Sequence, residues 1–441
     1  MTLDLLLERV RERKVNVGII GLGRVGLPLS TVFATKGLKV FGFDTNKERL
    51  ELIRNAKCPF HDPPIQETLE KAMSLGSLKV EEKISKIHEV LDVIILTVGT
   101  PNTSDNTVDY SQLYSALDEI AETNLKNKMI ILRSTMPPRT TEDIVIPFLE
   151  NKSQLKAGID FALAMCPERI LEGHAIREIH ELPEIIGGIN ETSNRIAAEL
   201  FLLINPKKEM LYISPAGAEL AKLFANIYRY ISFALSNEFA IWAEIYGLDA
   251  AELIRISNYN YSRCNIPIPG FVGGPCLSKD GTFLDNNTTF ASIVSTAWKL
   301  NESVPKHIVN NIKELIGGIF NKKIAVLGLS FKAGSDDIRQ SPSVKLVELL
   351  KSYHANVRVH DPHVKYTLTS SEALDAAEIV IIATNHKEFR DLIPEITRSG
   401  CKLVYDVWSM FKDDDFPGIR YARFGRGFKP LTFQPPTTKL Q

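Results

Sequence analysis

Short apolar runs rich in β-branched residues alternate along the chain with longer stretches of helical periodicity. The first run is residues 15–20 (VNVGII), followed by a glycine turn and a helical pattern that Gly37 stops. Residues 38–43 form the next strand, closed by Asp44, and residues 93–98, 129–132 and 161–165 continue the series. Strands alternating with helices predict βαβ units and a parallel sheet covered on both faces. Ser214-Pro215 then opens a helix, with Ser as N-cap and Pro at the first helical position. That pattern continues to about Tyr246 without Gly or Pro after Gly217, which is about 45 Å at 1.5 Å per residue. Its apolar positions include Leu220, Leu223, Phe224, Ile227, Tyr230, Ile231, Phe239 and Trp242, which cover much of the circumference. Such a helix must be covered on several sides, by bridging two domains or by pairing with a second copy. From Lys322 the strand pattern returns at 323–329, 356–360, 378–384 and 402–406. This region repeats the first one loosely: 324–328 matches 17–21, and Asp361 matches Asp44, without the full glycine set. The polar, proline-containing stretch after Arg426 reads as a loose tail.

Composition narrows the function classes. Lys plus Arg (52) nearly balances Asp plus Glu (53), for a net charge of −1, so nothing draws the whole chain toward nucleic acid or an anionic membrane. Charged residues at 24% and hydrophobic residues at 44% exclude collagen-like and disordered chains. The five cysteines (Cys58, Cys166, Cys264, Cys276, Cys401) are odd in number and scattered, so neither a disulfide framework nor a CxxC zinc site is expected. The nine histidines have no metal-ligand spacing, and no metal is expected; His174 and His386 read as satisfied loop residues. Asp4 and Glu8 interrupt the first apolar stretch, and no run reaches the 18 residues of a membrane span. A reduced, cytoplasmic setting is the expectation.

The glycine turn is the first candidate site. Gly21-Leu-Gly23-Arg24-Val25-Gly26 lies between a strand and a helix. Gly21 permits the turn, Gly23 admits a pyrophosphate to backbone N–H groups, and Gly26 lets helix and strand pack closely. Asp44, 18 residues after Gly26, suits a ribose 2′-hydroxyl and repels a 2′-phosphate, favouring NAD over NADP; Arg49 nearby leaves a 2′-phosphate reading open. The second candidate is Pro269-Gly-Phe-Val-Gly-Gly-Pro-Cys276-Leu-Ser-Lys279-Asp280. Its glycines and proline read as a turn presenting a thiol, with Lys279 to lower the thiol pKa and Asp280 to move protons. The alternative is an inert buried cysteine. Lys222 and Asn226 share a face of the long helix, where a lysine is either functional or snorkelling to solvent. TVGTP (97–101), RSTMPP (133–138) and CPERILEG (166–173) each follow a predicted strand, where open α/β sheets bind ligands; ordinary turns and solvated loops are the alternatives. Lys332 and Arg339 are placed to meet phosphates, or to lie in a charged surface loop.

The glycine turn, TVGTP, RSTMPP, CPERILEG, ELAKLFAN (219–226), GGPCLSKD (273–280) and SFKAGSDDIRQSP (330–342) occur in one order, and over roughly 15–412 the chain resembles the UDP-glucose/GDP-mannose dehydrogenase family. The resemblance implies an α/β fold of two Rossmann-like doubly wound domains joined by a long central helix and helical domain. Its boundaries would be 1–205 for NAD, 206–318 for a dimerising segment with the catalytic cysteine, and 319–441 for the UDP-sugar. It implies oxidation of a sugar C6 alcohol to a carboxylate by two NAD⁺. Cys276 matches the nucleophile, Lys222 and Asp280 the proton and oxyanion pair, Glu168 the acid of thioester hydrolysis with Thr135 beside it, and Asn226 a substrate amide. Arg24, Val25, Arg49, Thr100, Thr135, Glu172, Lys279 and Arg339 join the glycines and Asp44 as NAD contacts. Arg169, Ile170, Arg263, Gly270, Gly273 and Lys332 join Glu168, Lys222 and Asn226 around the substrate.

CPERIL resembles the branch acting on UDP-N-acetylhexosamines, particularly UDP-N-acetylmannosamine, because UDP-glucose enzymes carry Phe at the place of Arg169, and Thr384-Asn-His386 also resembles that branch. Pro275, where that branch has His, and Lys279-Asp280 resemble the UDP-glucose enzymes instead. UDP-N-acetylglucosamine and UDP-glucose therefore stay open as substrates. A UDP-sugar partner, no nucleic acid, no membrane and a homodimer or higher oligomer are expected. A two-electron hydroxyacid dehydrogenase would need no Cys276, and a nucleotide-binding regulator would need none of Cys276, Lys222 and Asp280.

Overall fold

The structure is a computed structural model and describes residues 2–84, 88–103, 107–275, 277–285 and 292–428. These form two compact units, residues 1–225 with 282–287 and residues 226–281 with 288–441.

In the first unit, eight strands form one sheet: β1 (Asn16–Ile20), β2 (Lys39–Phe43), β3 (Leu78–Glu81), β4 (Val93–Leu96), β5 (Met129–Leu132), β6 (Ala162–Met165), β7 (Glu184–Gly188) and β8 (Met210–Tyr212). Their order is β3-β2-β1-β4-β5-β6-β7-β8, so the order reverses beside β1. Only β6 and β7 pair antiparallel, through Ala164 opposite Gly188. The central strands β4, β5 and β6 are buried along their whole length, which is why their sequences are unbroken apolar runs. The strand expected over 93–98 ends at Leu96, because the Thr97 hydroxyl turns back to donate to the Gly21 carbonyl (2.6 Å). Strands β3, β7 and β8 escaped the sequence pattern. β3 (LKVE) alternates, β8 has three residues, and β7, between β6 and β8, ends in two glycines. Helix Leu3–Arg11 buries Leu6, Leu7 and Val10, and its Arg9 pairs with Asp92.

The second unit holds a five-stranded parallel sheet of β9 (Lys323–Leu327), β10 (Asn356–His360), β11 (Ile379–Ile382), β12 (Leu403–Asp406) and β13 (Arg420–Arg423). Its order, β10-β9-β11-β12-β13, reverses beside β9. The internal repeat holds at the level of single hydrogen bonds. Gly21 and Gly328 share a left-handed backbone (φ 94° and 98°). The Gly21 N–H donates to Phe43, and the Gly328 N–H to His360. Helix Ile293–Ile316 packs Val304, Ile308 and Ile312 into the core of this unit with Ile324, Val326 and Leu346.

The long helix is Pro215–Ile245, 31 residues, close to the expected span. Leu223, Tyr230, Ala234 and Ala240 are buried, whereas Phe224, Tyr228, Leu235 and Trp242 are exposed. Among the described residues no helix is long and apolar enough to cross a membrane.

Candidate active site

At the glycine turn, each glycine is required for a different reason. A Cβ on Gly26 would lie 1.9 Å from the Gly21 carbonyl oxygen and 2.4 Å from Thr97 Oγ1. A Cβ on Gly23 would meet nothing within 4 Å. Gly26 therefore serves packing, and the space at Gly23 lies open beside the N-terminus of helix Gly26–Thr35, as a pyrophosphate needs. Val25 is the N-cap residue of that helix. Asp44 ends β2 nearly buried; its carboxylate accepts from the Leu22 and Asn46 N–H groups and pairs with Arg49 (2.8 Å). Arg49 thus neutralises the acid of the turn. These features fit a dinucleotide.

Neighbouring loops complete this face of the unit. Arg24 lies over the Phe60 ring (4.7 Å) and against Glu172 (3.4 Å). The Gly173 N–H donates to Asp62. The Thr100 hydroxyl donates to the Thr135 carbonyl (2.6 Å), joining the TVGTP and RSTMPP loops.

The CPERILEG segment is not a solvated loop. Glu168 is held by Arg133 through Oε2 (2.7 Å to Nε), while its Oε1 accepts from the Arg169 and Ile170 N–H groups (2.7 and 3.0 Å). Arg133 is buried and also donates to Glu184 (2.7 Å), whose other oxygen faces buried Lys208 (3.4 Å). Two cations and two carboxylates share this cluster. Burial alone would lower the Arg133 pKa, but Glu168 and Glu184 outweigh it and hold the guanidinium firmly charged. Burial lowers Lys208, partly offset by Glu184. Arg169 gives one arm of its guanidinium to the Pro183 carbonyl. Cys166, in the same segment, is buried, and burial together with Glu184 raises its thiol well above the ordinary value, so it is no nucleophile.

Lys222 is buried on the long helix. One turn earlier, Glu219 accepts from the Thr141 N–H and hydroxyl and from the Arg139 N–H (2.8, 2.6 and 2.6 Å). It fastens the first turns of this helix to the segment after RSTMPP. Burial pushes its carboxyl up to about 7, against the pull of those donors.

In the second unit, Cys276 lies outside the described residues. The loop before it is described, and its glycines do more than turn. A Cβ on Gly270 would strike the Trp408 ring (2.7 Å), one on Gly273 would strike Pro342 and the Gln340 carbonyl (2.4 and 2.5 Å), and one on Gly274 would strike the Phe331 ring (2.7 Å). The loop is thus pressed against the elements that follow β9 and β12. After Cys276, Leu277–Asp280 forms a helical turn that carries Lys279 and ends on a fully buried Asp280. The Asn226 amide donates to Asp280 (2.6 Å), so two residues far apart in sequence meet. Arg263 is exposed over Tyr261, and Arg339 forks onto Asp337 in its own loop (2.6 Å).

Lys332 lies in the loop after β9, and the Ser330 hydroxyl donates to its carbonyl (3.0 Å). Asp361 does not repeat the role of Asp44. Its Oδ2 accepts from the Leu329 and Ser330 N–H groups and from His386, and its Oδ1 from the His363 and Val364 N–H groups. Burial would raise this carboxyl, but His386 and the backbone donors win and hold it well below the usual carboxylate range. Five donors fill its lone pairs, against three on Asp44, so it has no acceptor site left for a ribose hydroxyl. His363, His386 and Glu388 bring ligand atoms within 4.8 Å of one another. Both ring nitrogens of His386 are already bonded, Nδ1 to the Gly334 N–H and Nε2 to Asp361 and Ser330, so this trio does not offer a metal three ligand atoms.

Sequence reasoning missed Arg133 in its cluster role, Glu184, Lys208, Glu219, and the use made of His386. The available signal was an acid or base inside an otherwise apolar strand or helix, as with Glu184 heading EIIGG.

Models of the UDP-glucose/GDP-mannose dehydrogenase family match three segments: its NAD-binding domain at residues 15–205, its central domain at 216–304 and its UDP-binding domain at 325–413. A UDP-N-acetyl-D-mannosamine dehydrogenase of Pyrococcus horikoshii is 33% identical over 422 residues, covering 94% of this chain and 100% of the relative. An NDP-N-acetyl-D-galactosaminuronic acid dehydrogenase of Ralstonia solanacearum is 30% identical over 90% of this chain and 96% of its own. The solved structure of a UDP-D-ManNAc dehydrogenase from Pyrococcus horikoshii is similar with a TM-score of 0.87 at 32% identity, over 93% of this chain and 99% of that one.

Proposed function

Because the chain belongs to the UDP-glucose/GDP-mannose dehydrogenase family and takes NAD as cofactor, we propose that it oxidises the C6 alcohol of UDP-N-acetyl-D-mannosamine to the uronate. The observation that carries the sugar is the near full-length likeness to an enzyme of that name, in a chain whose own motif reads CPERILEG. NAD supplies the hydride acceptor for both oxidations.

Cys276 attacks the C6 aldehyde left by the first oxidation and forms a thiohemiacetal, which the second oxidation converts to a thioester. A thiol holds the aldehyde on the enzyme between the two steps. The Lys222 ammonium, on a buried stretch of helix, stabilises the oxyanion. Asp280 moves the proton, with its carboxylate oriented by Asn226. Glu168 activates the water that hydrolyses the thioester, with Thr135 beside it. To do so it exchanges one backbone N–H partner for the water, while Arg133 keeps hold of the other oxygen. Arg24, Val25, Asp44, Arg49, Thr100, Glu172, Lys279 and Arg339 serve NAD. Ile170, Arg263, Gly270, Gly273 and Lys332 serve the UDP-sugar, and Arg169 reads the acetamido group with the donors left beyond Pro183. The domain limits are 1–205, 206–318 and 319–441, and the enzyme works in the cytoplasm as a homodimer or larger assembly.

UDP-glucose is the second reading, favoured by Pro275 and by Lys279-Asp280 after the cysteine. A panel of UDP-sugars with NAD⁺, followed by NADH absorbance, separates the two. The acetamido sugar should lead UDP-glucose by about tenfold or more in kcat/KM, a donor left unpaired being worth about 1–3 kcal/mol. Arg169→Phe should shrink that ratio. Faster turnover of UDP-glucose than of either UDP-N-acetylhexosamine would overturn the assignment.

A further inference from the structure

The strand order of the second sheet reverses between β9 and β11, and in open α/β sheets the crevice outside such a reversal is where ligands bind. Two loops border it: the one after β9, with Ser330, Lys332 and Gly334, and the one after β11, with Thr384 and His386. His386 ties them together and is fully buried. Its Nδ1 lies 3.1 Å from the Gly334 backbone N, which can only donate, so Nδ1 carries no hydrogen. The ring hydrogen is therefore on Nε2. There it is shared between Asp361 Oδ2 and Ser330 Oγ, each at 3.1 Å, and the Ser330 hydroxyl passes its own hydrogen to the Lys332 carbonyl. Every hydrogen in this chain has one assignable place.

We propose that His386 is a positioning residue for the diphosphate of the UDP-sugar, holding the Lys332–Gly334 segment in binding geometry through its bond to the Gly334 N–H. This rests on the reading of the third segment as the UDP site. The histidine touches no substrate itself. It replaces, from the far side of the crevice, the anchoring that a full glycine fingerprint gives the first sheet. Asp361 fixes the tautomer, by taking the Nε2 hydrogen and leaving Nδ1 as an acceptor.

The two halves of the ring separate by substitution. His386→Asn keeps an acceptor near the Nδ1 position, and His386→Gln keeps a donor near Nε2 while losing the bond to Gly334. Calorimetry of UDP binding to the full chain is the primary measurement. His386→Gln should weaken UDP roughly tenfold and raise KM for the UDP-sugar alike, with KM for NAD⁺ and the saturated kcat near wild type. His386→Asn should recover most of the affinity. Ring ¹⁵N NMR of the wild type needs no variant, and should report Nδ1 unprotonated and Nε2 protonated with and without UDP. If wild type binds no UDP, the reading of the third segment fails. If wild type binds UDP and His386→Gln binds it equally, or if the ring hydrogen sits on Nδ1, the role of His386 is overturned while that reading stands.

Discussion

At the scale of single residues, two glycines of one fingerprint have opposite sensitivities. Gly26→Ala places a methyl 1.9 Å from a backbone oxygen that cannot yield, so it should lower stability by about 3 kcal/mol or more. Gly23→Ala meets nothing within 4 Å, so its melting temperature should stay near wild type while KM for NAD⁺ rises at least about tenfold. Melting curves and KM measured on the same two variants check both statements, and equal loss of stability in the two would refute the division. Glu219 gives a pH effect. Its native value of about 7 lies above the ordinary 4.5, so the native state holds the proton more tightly than the unfolded chain. The stabilisation is complete below about pH 4.5 and is lost as the pH rises through about 7, amounting to up to ~3 kcal/mol. Glu219→Gln cannot titrate. Between pH 5 and pH 8 its melting temperature should therefore move by a few degrees in its favour relative to wild type. A difference that is the same at both pH values would remove Glu219 as the cause.

At the scale of elements, the long helix was legible because capping and periodicity are local, and Pro215–Ile245 came out near its expected length. The central strands were legible because a strand buried on both faces must be apolar throughout. β3 and β8 were not, since edge position depends on neighbours the sequence does not name. On the helix, Phe224, Tyr228, Leu235 and Trp242 are exposed, and with Ile231 they follow a three-four spacing along one face. That spacing is the seam of a helix pair. We expect two copies to meet along it. Tyr228→Glu with Trp242→Glu should convert the assembly to monomer by light scattering at micromolar concentration, and a wild-type monomer under those conditions would count against the seam.

At the scale of the whole molecule, the order of motifs identified the family, while the contacts between motifs stayed hidden. The Arg133–Glu184–Lys208 cluster needs β5, β7 and the chain before β8 to be adjacent. GGPC read as a turn presenting a thiol, yet Gly273 and Gly274 are small because Gln340, Pro342 and Phe331 lie against them. Turnover tests the whole assignment. Two NADH should form per UDP-sugar, and Cys276→Ala should form no uronate, while Ala at Cys58, Cys166, Cys264 or Cys401 should preserve activity. One NADH per product with free aldehyde, or uronate from Cys276→Ala, would exclude the thioester route.

The pressed loop also sets a rule for protein engineering. A designer wishing to change nucleotide preference would graft the last Rossmann-like segment of a relative as a cassette, cutting near residue 319. The 270–274 loop is moulded to Phe331, Gln340, Pro342 and Trp408, which the cassette would replace, while the loop itself would stay behind. A graft whose side chains differ at Phe331, Pro342 or Trp408, or whose backbone shifts at Gln340, would either strike the glycine loop or leave a void beneath it. The interchangeable part is therefore discontinuous in sequence, and chimeras should be built with loop and cassette from the same parent.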